Sequence, residues 1–269
     1  MIKLIAIDVD DTLLNPEGKL TNTTAAALRE AAMRGAHIVL CTGRPLVGVR
    51  DFLAAINIDG PEEYAITYNG AVVQNLAGRV LVSHTLTRSD YIDLAAFADN
   101  HNVHYNALDL SGRVFTGNTD VGAITVVQAW ENHAGLSVVN PQALPAAIVI
   151  PKFLFVDPAP QLDTIVQPFA DHFGDRFATV RSTPVFFEAM QPRVDKGTAL
   201  QSLCATLGYG AEEVLAIGDE LNDLPMFDFA GTAVAMGNAR DQVVAAADWV
   251  TADNAHDGVA VAVRKYMGD

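Results

Sequence analysis

Leu4-Ile5-Ala6-Ile7-Asp8-Val9-Asp10-Asp11-Thr12 opens the chain and decides how the rest is read. Four apolar residues in a row, stopped at once by acids and a hydroxyl, read as a short buried strand. Strands of this kind sit in a mostly parallel sheet covered by helices, and such sheets bind ligands beyond the carboxyl ends of their strands. The residues just after each strand are therefore where chemistry is expected.

Working outward, strand-like runs alternate with helical patterns. Thr21 can cap a helix through Arg34, with Gly35 as its stop. Ile38-Val39-Leu40-Cys41 reads as a second strand, Pro45 suits a first helical turn, and Tyr64 to Thr67 reads as a third strand. Ala71 to Gln74 and Arg79 to Val82, joined through Asn75-Leu76-Ala77-Gly78, read as a hairpin. From Thr85 to Pro192 the texture changes. A helix over Ser89 to Asn100 and strands near Val103–Leu108, Val114–Thr116, Phe153–Val156, Phe177–Val180 and Val185–Met190 suggest an α+β unit. After Pro192 the alternation resumes: helix Thr198–Leu207, strand Val214–Ile217, a helix from Asn222, strand Ala233–Met236, a helix from Ala239, strand Trp249–Val250, and a helix from Gly258. The expected fold is α/β: a Rossmann-like, mostly parallel core of residues 1–84 and 193–269, split by an inserted α+β domain at 85–192.

Composition narrows the function classes. In 269 residues, 50% are hydrophobic and 18% charged, which excludes a disordered chain. A formal charge of −15 repels nucleic-acid backbones and anionic membrane surfaces, so neither is an expected partner. Two cysteines, Cys41 and Cys204, make no disulfide framework; both read as core, and a reducing, cytoplasmic setting is expected. Neither a signal peptide nor a membrane span is legible. Trp130 and Trp249 read as packing residues, and a homodimer is left open.

The strand ends carry the chemistry. Asp8-Val9-Asp10-Asp11-Thr12 comes after the first strand, Thr42-Gly43-Arg44 after the second, and Gly218-Asp219-Glu220-Leu221-Asn222-Asp223 after the strand ending at Ile217; Lys196 opens the helix before that strand. A carboxylate can attack phosphorus and divide one hard displacement into two. Crowded acids repel one another and a phosphate, and a divalent cation with hard oxygen ligands, such as Mg²⁺, removes that problem. Lys196 and the hydroxyl and amide of Thr42 would then hold the remaining phosphate oxygens, near a strand-to-helix junction that favours amide donors. If a helix starts near Asp219, then Asp219 and Asp223 share one side of its first turn. Taken singly, Thr-Gly-Arg reads as a turn, Lys196 as a solvated lysine, and Gly-Asp-x-x-Asn-Asp as a helix cap. Their joint occurrence, each at an element end, is the signal.

Asp8-x-Asp10-x-Thr12, Thr42-Gly43-Arg44, Lys196 and Gly218-Asp219-x-x-Asn222-Asp223 together resemble the four motifs of the haloacid dehalogenase superfamily of phosphohydrolases. The insertion between the second and third motifs resembles the Cof-type subgroup with a large α/β cap. Tyr68-Asn69-Gly70-Ala71, Asn106-Ala107-Leu108-Asp109 and Arg193-Val194-Asp195-Lys196-Gly197 extend the likeness to YidA-like sugar phosphatases. Asp11 departs from it, since that subgroup usually has glycine there.

The resemblance implies Asp8 as nucleophile and Asp10 as general acid and then base. Mg²⁺ would be held by the Asp8 carboxylate, the Asp10 backbone carbonyl and the Asp219 carboxylate. Phosphate would meet the Val9 amide, Thr42, Gly43, Lys196 and Asn222. Asp223 and Thr12 would stand behind these groups, Asp223 orienting Lys196 or a metal-bound water, while Glu220 and Asp11 read as solvated acids. Arg44, Asn69, Asn106, Asp109, Arg113 and Glu188 are candidates for substrate contact. The expected activity is Mg²⁺-dependent hydrolysis of small phosphorylated metabolites, sugar phosphates foremost, through an aspartyl-phosphate. A phosphotransferase or mutase would use the same Asp8 chemistry. A non-catalytic phospholigand sensor would have no use for Asp10, and a receiver domain would carry its acceptor aspartate later in the sheet.

Overall fold

The computed structural model describes residues 1–132 and 134–268. The chain forms two compact units: Met1–Gly43, Val49–Val82 and Asp195 onward make the first, Arg44–Gly48 and Ser83–Val194 the second.

The first unit begins with β1 (Leu4–Ile7), α1 (Asn22–Met33), β2 (His37–Cys41), α2 (Arg50–Ala55), β3 (Tyr64–Thr67), β4 (Val72–Asn75) and β5 (Val80–Ser83). The Thr21 hydroxyl accepts from the Thr24 amide as the N-cap of α1, and Gly35 turns the chain at φ +93. α1 buries Thr24, Ala25, Ala27, Leu28 and Ala31, one helical stripe. Pro45 leads only a single 3₁₀ turn, Leu46–Gly48, and α2 starts later than the proline suggested.

The second unit supplies α3 (Arg88–Asn100), β6 (Tyr105–Leu108), β7 (Val114–Thr116), α4 (Ala123–Glu131), β8 (Leu136–Val138), β9 (Lys152–Val156), α5 (Ala159–Phe173), β10 (Ala178–Thr183) and β11 (Phe186–Met190). Its sheet runs β10-β11-β9-β6-β7-β8, antiparallel except for the parallel β7–β8 pair. Tyr105 pairs with Phe155 and Ala107 with Phe153, so these four share one face. Tyr91, Leu94 and Phe97 of α3 and Leu162, Ile165 and Phe169 of α5 join that face in an aromatic-rich core.

α4, β8 and α5 were not legible in the sequence. α5 holds Pro168 in its interior, a residue type that ordinarily kinks or breaks a helix. α4 is amphipathic in reverse. It buries Thr125 and Gln128, whose side-chain oxygens accept from Asn106 Nδ2 at 3.0 and 2.8 Å. Its apolar residues Val126, Val127 and Trp130 face outward, Trp130 being 75% exposed, which corrects its reading as a packing residue. Trp249 is half-buried and meets Tyr266 edge-on at 6.2 Å.

The chain returns to the first unit with α6 (Lys196–Leu207), β12 (Val214–Gly218), α7 (Leu224–Phe229), β13 (Thr232–Ala235), α8 (Asp241–Ala246), β14 (Trp249–Val250) and α9 (Gly258–Met267). Its sheet order is β14-β13-β12-β1-β2-β3-β4-β5, parallel from β14 to β3 and antiparallel at β3–β4. Cys41 and Cys204 are both buried in its core, as expected, and burial pushes the Cys204 thiol up to about 11. No helix among the described residues is long and apolar enough to cross a membrane.

Candidate active site

Strand order places the site. From β1 the chain steps outward through β2 and β3 on one side; β12, β13 and β14 step outward on the other. The crevice where the order reverses lies beyond the carboxyl ends of β1 and β12. Asp8 comes directly after β1 there and Asp219 after β12, while Thr42 directly follows the neighbouring β2.

Asp8, Asp219 and Asp223 each bring a carboxylate oxygen within 4.8 Å of the others. Lys196, at the start of α6 and 1% exposed, lies between two of them, its Nζ 2.5 Å from Asp8 Oδ1 and 2.6 Å from Asp223 Oδ1. A side chain on Gly197 would collide with the Pro225 carbonyl, so this glycine lets the first turn of α6 close against α7. Both oxygens of Asp223 are engaged: Oδ1 by Lys196, Oδ2 by the amides of Asp219 at 2.9 Å and Glu220 at 3.1 Å. Asp223 therefore braces the lysine and the Asp219 loop. Thr12 donates its hydroxyl to Asp219 Oδ1 at 2.6 Å, fixing that carboxylate from the loop after β1.

Three carboxylates face one ammonium. Burial raises the Asp8 carboxyl well above its usual range; Lys196 pulls it down, and Asp223, Asp219 and Asp10 push it up. Burial also pushes Asp219 to about 7, against the Thr12 hydrogen bond and with help from Asp223 and Asp11. For Lys196, burial opposes the charge, but Asp223 and Asp8 outweigh it and hold the ammonium above its ordinary range. Negative charge in excess of what the lysine neutralises, on hard oxygen donors, fits a divalent cation such as Mg²⁺. The Asp8 and Asp219 carboxylates are the groups of this cluster placed to hold it.

Between Asp8 and Leu14 the chain makes a wide turn, closed by Leu13 N to Asp8 O and Leu14 N to Val9 O. Val9 is buried, and Asp10 is extended at ψ 130 with its side chain exposed. Asp11 adopts φ 59, the left-handed conformation that explains why glycine suits this position. Its carbonyl accepts from Asn238 Nδ2 at 2.8 Å. Glu220, read from sequence as a solvated acid, accepts instead from the Leu221 amide and pairs with Arg240 at 2.7 Å.

Thr42 is fully buried, and its amide donates to the Ile66 carbonyl at 2.9 Å. The expectation that this amide faces an anion is corrected: the β2–β3 ladder takes it, and the hydroxyl and the adjoining Gly43 remain as candidates. Asn222 donates from Nδ2 to Asn69 Oδ1 at 3.2 Å.

The remaining candidates belong to the second unit. Asn106 lies under α4, bonded to Thr125 and Gln128. Asp109 Oδ1 accepts from the amides of Ser111 and Arg113 and from the Ser111 hydroxyl, organising its own turn. Glu188, 1% exposed, accepts from Lys152 Nζ at 2.9 Å and from the Ser182 hydroxyl at 2.6 Å. Arg113 donates to the Ser137 hydroxyl. Arg44 opens the 44–48 segment of that unit. The partners Lys152 and Ser182 carried no motif, and nothing in the sequence marked them.

Residues 5–263 match the family model for haloacid dehalogenase-like hydrolases. The putative phosphatase YxeH of Bacillus subtilis is 36% identical, over 99% of both chains. The 5-amino-6-(5-phospho-D-ribitylamino)uracil phosphatase YcsE of the same organism is 31% identical, over 99% of this chain and 96% of its own. Among solved structures, a haloacid dehalogenase-like hydrolase from Bacteroides thetaiotaomicron superposes with a TM-score of 0.89 at 28% identity, covering 99% of this chain and 100% of that one. The chain belongs to the haloacid dehalogenase-like hydrolases, as the motif resemblance implied. Within that family it is a phosphoric monoester hydrolase.

Proposed function

We propose that the protein is a Mg²⁺-dependent phosphatase of small phosphorylated metabolites, sugar phosphates foremost, working through an aspartyl-phosphate on Asp8. One observation carries this reading: a buried lysine holds the Asp8 carboxylate at 2.5 Å beside two further carboxylates at a strand-end crevice. A nucleophile and its charge-compensating groups are thus gathered at one point. That YcsE is named for a phosphorylated ribityl substrate supports a polyhydroxylated one here.

A bound Mg²⁺ would neutralise the carboxylates and the incoming phosphoryl group, allowing the two to approach. Asp8 attacks phosphorus; the new Asp8 O–P bond forms as the ester P–O bond breaks. Asp10 gives its proton to the departing alkoxide. Asp10, now a base, takes a proton from water as that water attacks phosphorus, and inorganic phosphate leaves with Asp8 restored. Lys196, the Thr42 hydroxyl, the Val9 and Gly43 amides and Asn222 hold the phosphoryl oxygens, and Asp223 keeps Lys196 in place. Of the candidates for reading the sugar, Arg44 and Asp109 stand; Asn106 and Glu188 are buried on partners inside the second unit, which corrects their reading as substrate contacts.

The test is phosphate release across a panel of phosphomonoesters, with Mg²⁺ and with chelator, for the wild type and Asp8→Asn. Turnover is expected to need Mg²⁺ and to vanish in Asp8→Asn, because an amide is a poor nucleophile. Near-normal turnover in Asp8→Asn, or in fully chelated enzyme, overturns the assignment.

A further inference from the structure

We propose that Asn69 is a positioning residue, which sets the phosphate-holding groups through Asn222 and Gly43 and does not itself read the substrate. This rests on the proposed phosphatase activity. Tyr68 and Asn69 have φ 53 and 57, and Gly70 comes next at +100. Two consecutive non-glycine residues in the left-handed region, both buried, persist only where the surroundings over-determine them. Three stretches of chain do so.

The Asn69 amide donates to the Thr42 carbonyl at 2.9 Å, directly after β2. A Cβ added to Gly43 would lie 3.1 Å from Asn69 Oδ1, so the α-carbon of Gly43 is seated on the Asn69 side chain. A Cβ on Gly70 would collide with the Asp195 carbonyl, immediately before Lys196. Asn69 Oδ1 accepts from Asn222 Nδ2 at 3.2 Å, in the loop after β12. One turn thus touches the Thr42–Gly43 segment, the start of α6 and the Asn222 loop, three of the four stretches that carry the proposed phosphate contacts.

The amide of Asn222 supplies the chemistry. Its nitrogen carries two hydrogens, and giving one to Asn69 fixes where the other points. The same Asn69 side chain limits how far the Gly43 backbone can shift. Both effects bear on the phosphoryl oxygens, which every phosphomonoester shares. Removing the Asn69 side chain should therefore weaken all substrates alike.

Asn69→Gly keeps the left-handed backbone and deletes the amide. It is measured with a sugar phosphate, with p-nitrophenyl phosphate, and with inorganic phosphate as inhibitor. We expect kcat/KM to fall about tenfold for both esters, the scale of one hydrogen bond to a charged group, with phosphate inhibition weakened in parallel. The double variant with Asn222→Ala should be within about threefold of Asn222→Ala alone, since residues acting as a unit are non-additive. Should the glycine variant not fold, Asn69→Asp retains the acceptor oxygen and should leave the ratio between the two esters at its wild-type value. A loss confined to the sugar phosphate, or full additivity with Asn222→Ala, overturns the positioning role. A wild type that hydrolyses no ester and binds no phosphate overturns the phosphatase reading itself, and the role of Asn69 with it.

Discussion

Asp223 shows how much one buried carboxylate can hold. It is fully buried, pairs with an equally buried ammonium, and closes two backbone amides of the Asp219 loop. Asp223→Ala leaves Lys196 with Asp8 alone and two amides unpaired. Removing one member of a buried pair costs about 3–5 kcal/mol, so urea unfolding of the metal-free protein should show a loss of that order. A loss under about 1 kcal/mol would mean that water or a rearranged Asp8 replaces it. The sequence put Asp223 behind the site but could not show that both its oxygens are taken. Nor could it show that the Thr42 amide belongs to the sheet, because the registration of β2 against β3 is not written in either strand.

At the N-terminus of α3, Thr87 and Asp90 form a capping box, and Asp90 also meets Arg176 at 2.7 Å. Burial tends to raise the Asp90 carboxyl, but the Thr87 hydroxyl and amide and the Arg176 guanidinium prevail and hold it below its usual value. A carboxyl with a lowered native pKa stabilises the fold above its unfolded value, about 3.9, and that contribution fades as pH falls through the native value. Asp90→Asn should therefore cost about 1 kcal/mol at pH 7, with the gap to wild type closing below about pH 4 in acid titrations of stability. A constant gap across that window would place the effect in packing. In α4 the buried face is the polar one. Gln128→Leu deprives buried Asn106 of an acceptor and should cost about 1–3 kcal/mol, whereas Trp130→Gln should stay within about 0.5. Thermal unfolding of the two variants, giving the reverse ranking, would show that Trp130 is packed after all.

Each unit closes its own core, one around Tyr91, Phe97, Phe153, Phe155 and Phe169, the other around Leu4, Ala6, Val39, Leu200 and Ala216. The carboxylate–lysine cluster lies wholly in the first unit. Phe155→Ala empties the aromatic core at a cost of about 3–5 kcal/mol. It should lower an unfolding transition and leave inorganic-phosphate affinity, read by inhibition below that transition, unchanged. A matched loss of phosphate affinity would show that the second unit's core supports the cluster.

Sequence alone determined the alternation that makes a parallel sheet, and the acids, hydroxyls and lysine at the strand ends. Those signals are local: a buried strand needs a short apolar run, a cap needs a residue such as Thr21, and ligands gather where strands stop. Tertiary structure decided the rest. Lys196 is 188 residues from Asp8 in sequence and 2.5 Å away in space. Tyr68-Asn69-Gly70 stood out in the sequence only through its family resemblance, and the turn's grip on three loops exists only once β2, β3, α6 and β12 are stacked in order. α4 ran against its own pattern, because a buried Asn106 in the adjacent strand needs polar partners more than the sheet face needs apolar ones. Local composition fixes which groups stand at an element's end; only packing between distant segments fixes which of them meet, and which hydrogen bonds are already taken.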